Sequence, residues 1–358
     1  MDPPEGTVAG EGISPAELRL AARNHGLPLE ALRYDLTPAG LHYLLIHYDI
    51  PPVDAAAFRL EVGGAVETPL SLSLEQLRAR ERVAMPVTFE CAGNGRALLE
   101  PRPLSQPWLT EAVGTAEWAG TPLAPLLDEA GVKPGAVEVL FGGLDGGLEG
   151  GTRQDYERSL PLGDVEGALL AYEMNGEPLP PQHGYPLRLV VPGWYGMTNV
   201  KWLARIELLE EPFDGYQNSV AYRMYDTDGE PGDPVTRMLP RSLMVPPGVP
   251  DFYSRQRHLE PGPVTIGGRA WSGFGPIERV EVSTDGGETF AEASLADPLG
   301  SAAWRGWQFD WEATEGEHVV CSRATDAAGN TQPLEAPWNL KGYANNAVDR
   351  IPVSVSAA

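Results

Sequence analysis

The chain has 358 residues, with 26 Lys+Arg against 50 Asp+Glu, and so carries a formal net charge of −24. That length allows two domains with separate cores, and so acidic a chain is repelled by DNA, RNA and anionic lipid, which sets those partners aside. The 35 Pro and 41 Gly call for many turns and short elements rather than a long helical bundle, and the two cysteines, Cys91 and Cys321, lie too far apart in sequence for a CxxC pair or a disulfide framework.

The opening Met1-Asp2-Pro3-Pro4-Glu5 has neither a basic nor an apolar leader pattern. No apolar run approaches the ~18 residues of a membrane span. A cytoplasmic protein is expected, or a periplasmic one if Met1 is not the native start. An extension over 1–36 carries one amphipathic helix, Ser14 to His25, with Ser14-Pro15 as cap and first turn. After Thr37-Pro38-Ala39-Gly40 comes an apolar run, Leu41 to Ile50. Phe58 to Val62 alternates as a strand, and Ser73 caps a helix beginning at Leu74. Met85 to Cys91 reads as a strand with Val87 and Phe89 on one face, and Pro186 to Val191 as a buried strand. These short mixed elements predict an α+β domain over 37–230. The texture then changes: Pro231-Gly232-Asp233-Pro234 and Pro246-Pro247-Gly248 are linker chemistry. Alternating strands follow around Val264, Val280, Phe309 and Val319, separated by turn residues such as Asp285-Gly286. They predict a β-sandwich over 240–358.

The most unusual local sequence is Phe89-Glu90-Cys91-Ala92-Gly93-Asn94-Gly95-Arg96. A cysteine ends a predicted strand and opens a loop of small residues that lets backbone approach a ligand. The bland reading is a buried cysteine ahead of a turn. Arg96 argues against it, because a nearby cation favours the thiolate, the form that ligates a soft metal or attacks as a nucleophile. A second cluster, His183-Gly184-Tyr185-Pro186-Leu187-Arg188 and Gly193 to Trp202, sets His183, Arg188 and Lys201 around a buried strand and a Gly-rich turn. Three such groups in a chain poor in positive charge predict an anion pocket suited to a phosphate-bearing cofactor. Phe141 to Gly147 lacks the GxGxxG spacing of a dinucleotide loop, and no P-loop, GxSxG or HExxH occurs. His42 is read as structural.

Taken together these residues resemble the sulfite oxidase family of mononuclear molybdenum enzymes. Cys91-Ala92-Gly93-Asn94-x-Arg96 is similar to that family's metal-cysteine loop. His183-Gly184-Tyr185-Pro186-x-Arg188 with Val200-Lys201-Trp202 is similar to its pterin-binding region. Trp338-Asn339-Leu340-Lys341-Gly342 and Asn345-Asn346-Ala347 are similar to its carboxy-terminal domain. The resemblance, over about 37–358, implies an α+β molybdopterin-binding domain followed by an immunoglobulin-like dimerisation sandwich. It implies Cys91 as the protein ligand of molybdenum, beside the dithiolene of the cofactor. His47, Asp145, His183, Arg188, Asn199, Val200 and Lys201 are implied as molybdopterin contacts. Tyr222 is implied as the active-site tyrosine, Trp108 as the aromatic wall of the substrate pocket, and Arg96 and Arg350 as holders of an oxyanion.

One position departs from the family. Where sulfite oxidases read Arg-Asn-His, this chain reads Leu45-Ile46-His47, so a pocket guanidinium is missing. The lost charge-assisted hydrogen bond is worth roughly 1.5–3 kcal/mol. The expected activity is oxidation of sulfite to sulfate, with electrons leaving to a separate acceptor such as a cytochrome, since two distant cysteines build no CxxCH haem site. Leu45 keeps two rivals in view: a related molybdopterin reductase of another oxyanion or S-oxide, and a catalytically idle binding protein that retains the fold.

Overall fold

The computed structural model describes residues 12–225 and 231–357. The opening residues read above for leader signals, and the last residues of the expected 37–230 unit, lie outside the described residues. The first helix is Pro15–Ala21, with Ser14 and Glu17 in a reciprocal capping box. It is shorter than the sequence predicts. Asn24 turns its side chain back onto the Leu20 carbonyl (3.0 Å), and His25 pairs instead with Leu44.

Two sheets follow. One runs in spatial order Leu70–Leu72, Leu60–Gly64, Leu203–Leu209, Glu138–Glu149, Thr152–Pro161. Its pair Leu60–Gly64 and Leu203–Leu209 is parallel and the other pairs are antiparallel. The other contains Val83–Glu90, Val113–Pro122, Leu169–Met174 and Glu177–Pro178, with Arg188–Val190 also paired to Leu169–Met174. Val87 and Phe89 share a face as predicted, but the opposite face is not solvated: Thr88 and Glu90 are buried too. Thr88 accepts from the Trp304 amide (2.7 Å) and donates its own amide to Ala302 (3.0 Å), so this strand is covered by the second unit.

The second unit is all β. A four-stranded sheet, Arg241–Met244, Gly262–Trp271, Arg305–Ala313, Ser294–Leu295, faces a six-stranded one that includes Ile277–Ser283, Gly316–Asp326 and Ile351–Val355. Ile266 from one sheet and Val280, Val320 and Val353 from the other, all at 0% exposure, form the core between them, as alternating inward residues do in a sandwich. The α+β unit followed by an all-β sandwich is the class the sequence predicts.

The two units are joined by buried polar chemistry. Glu90, the last strand residue before Cys91, forms an ion pair with Arg241 at 3.0 Å, both side chains 2% exposed. The same carboxylate accepts from Trp271 Nε1 (2.9 Å) and Asn94 Nδ2 (3.0 Å). Arg241 also donates to the Asn345 carbonyl (2.8 Å), and Asn345 Nδ2 donates to the Gly95 carbonyl (2.7 Å). Gly95 has φ +87°, and a Cβ there would press on Asn345, so a glycine is needed for both reasons. Arg241→Met strands a carboxylate in this interior, and we expect it to lower unfolding stability by about 3–5 kcal/mol. Urea titration measures this; a loss below ~1 kcal/mol would show that the pair does not hold the units together.

Candidate active site

Cys91 lines a cleft whose walls come from both sheets of the first unit, the irregular loop over 41–48, and the turn that bears Tyr222. The cysteine is fixed by its backbone: its amide donates to Ala112 (2.9 Å) and its carbonyl accepts the Asn94 amide (3.0 Å), closing the Gly-rich turn. Burial raises the thiol above its ordinary pKa, while the Arg96 charge, the Gly93 amide and the Trp108 indole pull toward the thiolate. Arg96 therefore acts on the thiol in the direction expected of a nearby cation, and desolvation outweighs it.

The cationic cluster is real and crowded. Arg188 is buried, donates to the His183 carbonyl (3.0 Å) and the Asn199 carbonyl (3.1 Å), and lies over the rings of Phe89 (4.9 Å) and Trp118 (4.6 Å). Its Nε has no partner. Lys201 Nζ donates to the Leu45 carbonyl (2.8 Å) and the Gln182 carbonyl (3.1 Å). Burial, then Arg188, pushes this ammonium down to about 7. Burial, with His42, Arg188 and Lys201 as neighbours, takes His183 down to about 2. Asp145 supplies the balancing carboxylate. Between Gly142 and Gly146 the strand register shifts against Thr152–Pro161, and this bulge leaves Leu144 outside and Asp145 buried. The Gly-rich segment Phe141 to Gly147, which lacks dinucleotide-loop spacing, is thus part of a bulged strand. Burial lifts Asp145 to about 6 against the pull of Lys201 and His47, and its Oδ1 is unpartnered.

Tyr222 follows the π-helical turn Gln217–Ala221 and lines the same cleft. Arg158 lies over its ring at 5.5 Å, and Tyr343 stacks on it at 5.5 Å. Burial holds its phenol far above the ordinary tyrosine range, so it stays protonated.

His47, Asp145, His183, Arg188, Asn199, Lys201, Cys91 and Tyr222 are therefore brought together, and Leu45 is in the wall with them. Four expected residues are not at the wall. Val200 is a correction: its side chain is in the apolar core at 0% exposure, and its carbonyl is taken by the Leu189 amide (2.8 Å). Arg350 is another. It lies outside the cleft, ion-paired with Glu335 (3.3 Å) and bonded to the Gly286 and Leu334 carbonyls, because those acceptors surround it on the sandwich side. Arg96 is buried against the Lys341 carbonyl (2.6 Å), the Gln106 carbonyl (3.3 Å) and the Tyr343 ring, so it acts on Cys91 by charge rather than by facing the cleft. Trp108 is buried behind the cysteine, where its indole favours the sulfur anion rather than walling the cleft. Conversely, His42 lines the cleft with Nε2 unpartnered, held neutral by burial at about 4. Tyr43 and Tyr156 join it there without any sequence expectation. Reading 152–161 as an alternating strand would have pointed to Tyr156 and Arg158, which are both buried.

An unpartnered donor, Arg188 Nε, and two unpartnered acceptors, Asp145 Oδ1 and His42 Nε2, meet beside Lys201 in one cleft with a thiol. Among the described residues no group of three His, Cys, Asp or Glu could hold a metal alone. A metal at Cys91 must therefore bring its remaining ligands with it. A soft metal carried on a polar, phosphate-bearing heterocycle fits that donor set.

Comparison with known proteins agrees. The oxidoreductase molybdopterin binding domain matches residues 47–217, and the Mo-co oxidoreductase dimerisation domain matches residues 254–356. The sulfite oxidase of Gallus gallus is 37% identical over 340 residues, covering 88% of this chain and 72% of that protein. The mitochondrial sulfite oxidase of Homo sapiens is 38% identical over 351 residues, covering 90% of this chain; the chain spans 62% of that relative's length. A nitrate reductase of Hordeum vulgare is 32% identical over 379 residues, covering 95% of this chain and 42% of that protein. In structure, the sulfane dehydrogenase SoxCD from Paracoccus pantotrophus matches with a TM-score of 0.80 at 30% identity, covering 93% of this chain and 86% of that one.

The depressed Lys201 gives a pH signature. An unfolded lysine keeps its proton to about 10.5, whereas the folded one releases it at about 7, so between these values the unfolded chain binds more protons. Stability from this group must then rise with pH across that window. Cofactor-free protein is expected to gain stability relative to Lys201→Met as pH goes from ~7 to ~9. Parallel urea midpoints for the two proteins over that range would contradict it.

Proposed function

Since the chain belongs to the sulfite oxidase family of molybdopterin oxidoreductases, we propose that it oxidises sulfite to sulfate at a molybdopterin held through Cys91 and passes the electrons to a separate acceptor. The observation that carries this reading is the single cleft in which Cys91 meets Arg188, Lys201, His183 and the unpartnered Asp145 Oδ1. Bound there, the molybdenum–dithiolene group would supply two-electron redox chemistry and oxygen-atom exchange with the substrate.

The protein's own part is positioning and charge. Arg188 and Lys201 neutralise the phosphate of the cofactor, and this contact restores the charged form of a lysine that burial otherwise discourages. Asp145, His42, His47, His183 and Asn199 supply polar contacts to the heterocycle. Val200 fixes the chain between Asn199 and Lys201 by its core packing rather than by contact. Cys91 gives the soft ligand, with Arg96 and Trp108 behind it favouring the sulfur anion. Tyr222 donates a hydrogen bond to the substrate oxyanion and keeps its proton while doing so, because ionisation is suppressed by burial. The overall charge of −24 favours a basic electron-accepting protein at low ionic strength. The dimerisation-domain match supports a homodimer, which light scattering tests as a mass twice 38.6 kDa.

A second reading is favoured by Leu45 in the cleft wall, with Arg96 and Arg350 bonded elsewhere. A pocket with fewer guanidinium groups suits a sulfur substrate of lower charge, such as sulfane sulfur or an S-oxide, or reduction of nitrate.

Molybdenum-loaded protein assayed with sulfite, a sulfane-sulfur compound, nitrate and an S-oxide, under artificial acceptors or donors, separates these readings. Sulfite is expected to give the highest kcat/KM. Turnover confined to one of the others would replace the first reading with the second, and no turnover with any would contradict both. In the sulfite assay Tyr222→Phe is expected to lower kcat roughly 100-fold, as loss of one oxyanion donor does.

A further inference from the structure

The hairpin of Glu138–Glu149 and Thr152–Pro161 turns at Gly150-Gly151, whose φ values of +60° and +81° provide the left-handed pair a two-residue turn requires. At its tip Leu148 is 82% exposed, yet the neighbouring Glu149 is folded inward. One carboxylate oxygen, Oε2, accepts from His47 Nε2 (3.1 Å), Tyr48 OH (2.5 Å) and Gln217 Nε2 (3.0 Å). Gln217 Nε2 also reaches Tyr48 OH (2.9 Å). Burial works against ionisation, but the bonds from His47, Tyr48 and Gln217 prevail and hold Glu149 at about 2.

These partners come from separate parts of the site. His47 and Tyr48 sit on the loop that walls the cleft, while Gln217 begins the π-helical turn that ends at Tyr222. The Gln217 carbonyl accepts the Tyr222 amide (3.3 Å) and Arg158 NH1 (2.6 Å), and Arg158 lies over the Tyr222 ring. Any displacement of Gln217 is thus passed to Tyr222 by the backbone and by the cation above its ring.

We propose that Glu149 is a positioning residue that anchors His47 on one side of the cleft and, through Gln217, sets the turn presenting Tyr222 on the other. The inference deepens the proposed function by naming what couples its two groups. A carboxylate that merely pins the hairpin tip would leave both groups in place when removed.

Hydrogen exchange on the purified protein tests the anchoring without any need for activity. Glu149→Ala is expected to speed exchange together in peptides spanning 44–49 and 216–222, and to leave the sandwich strand Ile277–Ser283 unchanged. In molybdenum-loaded protein oxidising sulfite, the same variant should lower kcat roughly tenfold with little change in KM. Added to Tyr222→Phe, it should cost little further, since both act through one group. Glu149→Gln keeps an oxygen acceptor in place and should restore most of kcat. Exchange altered only at the hairpin tip, or an additive double variant, would overturn the proposal. If the wild type takes up no molybdenum, the proposed function fails and the exchange result alone decides the role of Glu149.

Discussion

A guanidinium from the sandwich and a carboxylate from the sheet, Arg241 and Glu90, meet in an interior almost closed to water, one residue before the cysteine of the cleft. Such a pair is tolerable when most of its remaining hydrogen-bonding capacity is met. Here Trp271 and Asn94 serve the carboxylate, and the Asn94 and Asn345 carbonyls serve the guanidinium, whose Nε is left without a partner. The consequence is geometric. The loop bearing Cys91 cannot shift without breaking several buried bonds to the second unit, so the sandwich helps to build the site although its strands do not line it.

Electrostatics sets the character of the cleft. A molecule with a net charge of −24 has gathered Arg188, Lys201 and His183 into one buried place, with Asp145 as the nearby carboxylate. Burial makes this arrangement costly, as the depressed Lys201 and His183 and the raised Asp145 each record. Strongly shifted groups clustered in a cleft, with unpartnered polar atoms among them, mark a site built for a polar, negatively charged occupant. The phenols around Cys91 behave differently: Tyr43 and Tyr222 are both driven to stay neutral by burial, so each keeps a hydroxyl proton to donate without adding charge.

Much of this was legible in the sequence, for identifiable reasons. The Cys91 loop stood out because Gly and Ala flank a cysteine at a strand end, and the loop is indeed a tight turn. His183, Arg188 and Lys201 stood out because positive residues are scarce in this chain. What escaped was whatever depends on contacts between distant segments. Glu149 looks like one more surface acid until a two-glycine turn folds it onto His47, Tyr48 and Gln217. His42 looked structural because nothing local shows that its free nitrogen faces a cavity. Arg350 and Val200 erred the opposite way: a motif position fixes a residue along the chain, but local acceptors and core packing decide where its side chain goes.

The proposed oxidation requires a bond from the Cys91 sulfur to molybdenum. X-ray absorption at the molybdenum edge, on wild-type and Cys91→Ser protein at matched metal loading, tests it directly. The wild type should show one more sulfur neighbour than the variant. Equal sulfur counts in the two proteins would mean that Cys91 is not the ligand, and the mechanism built around it would not stand.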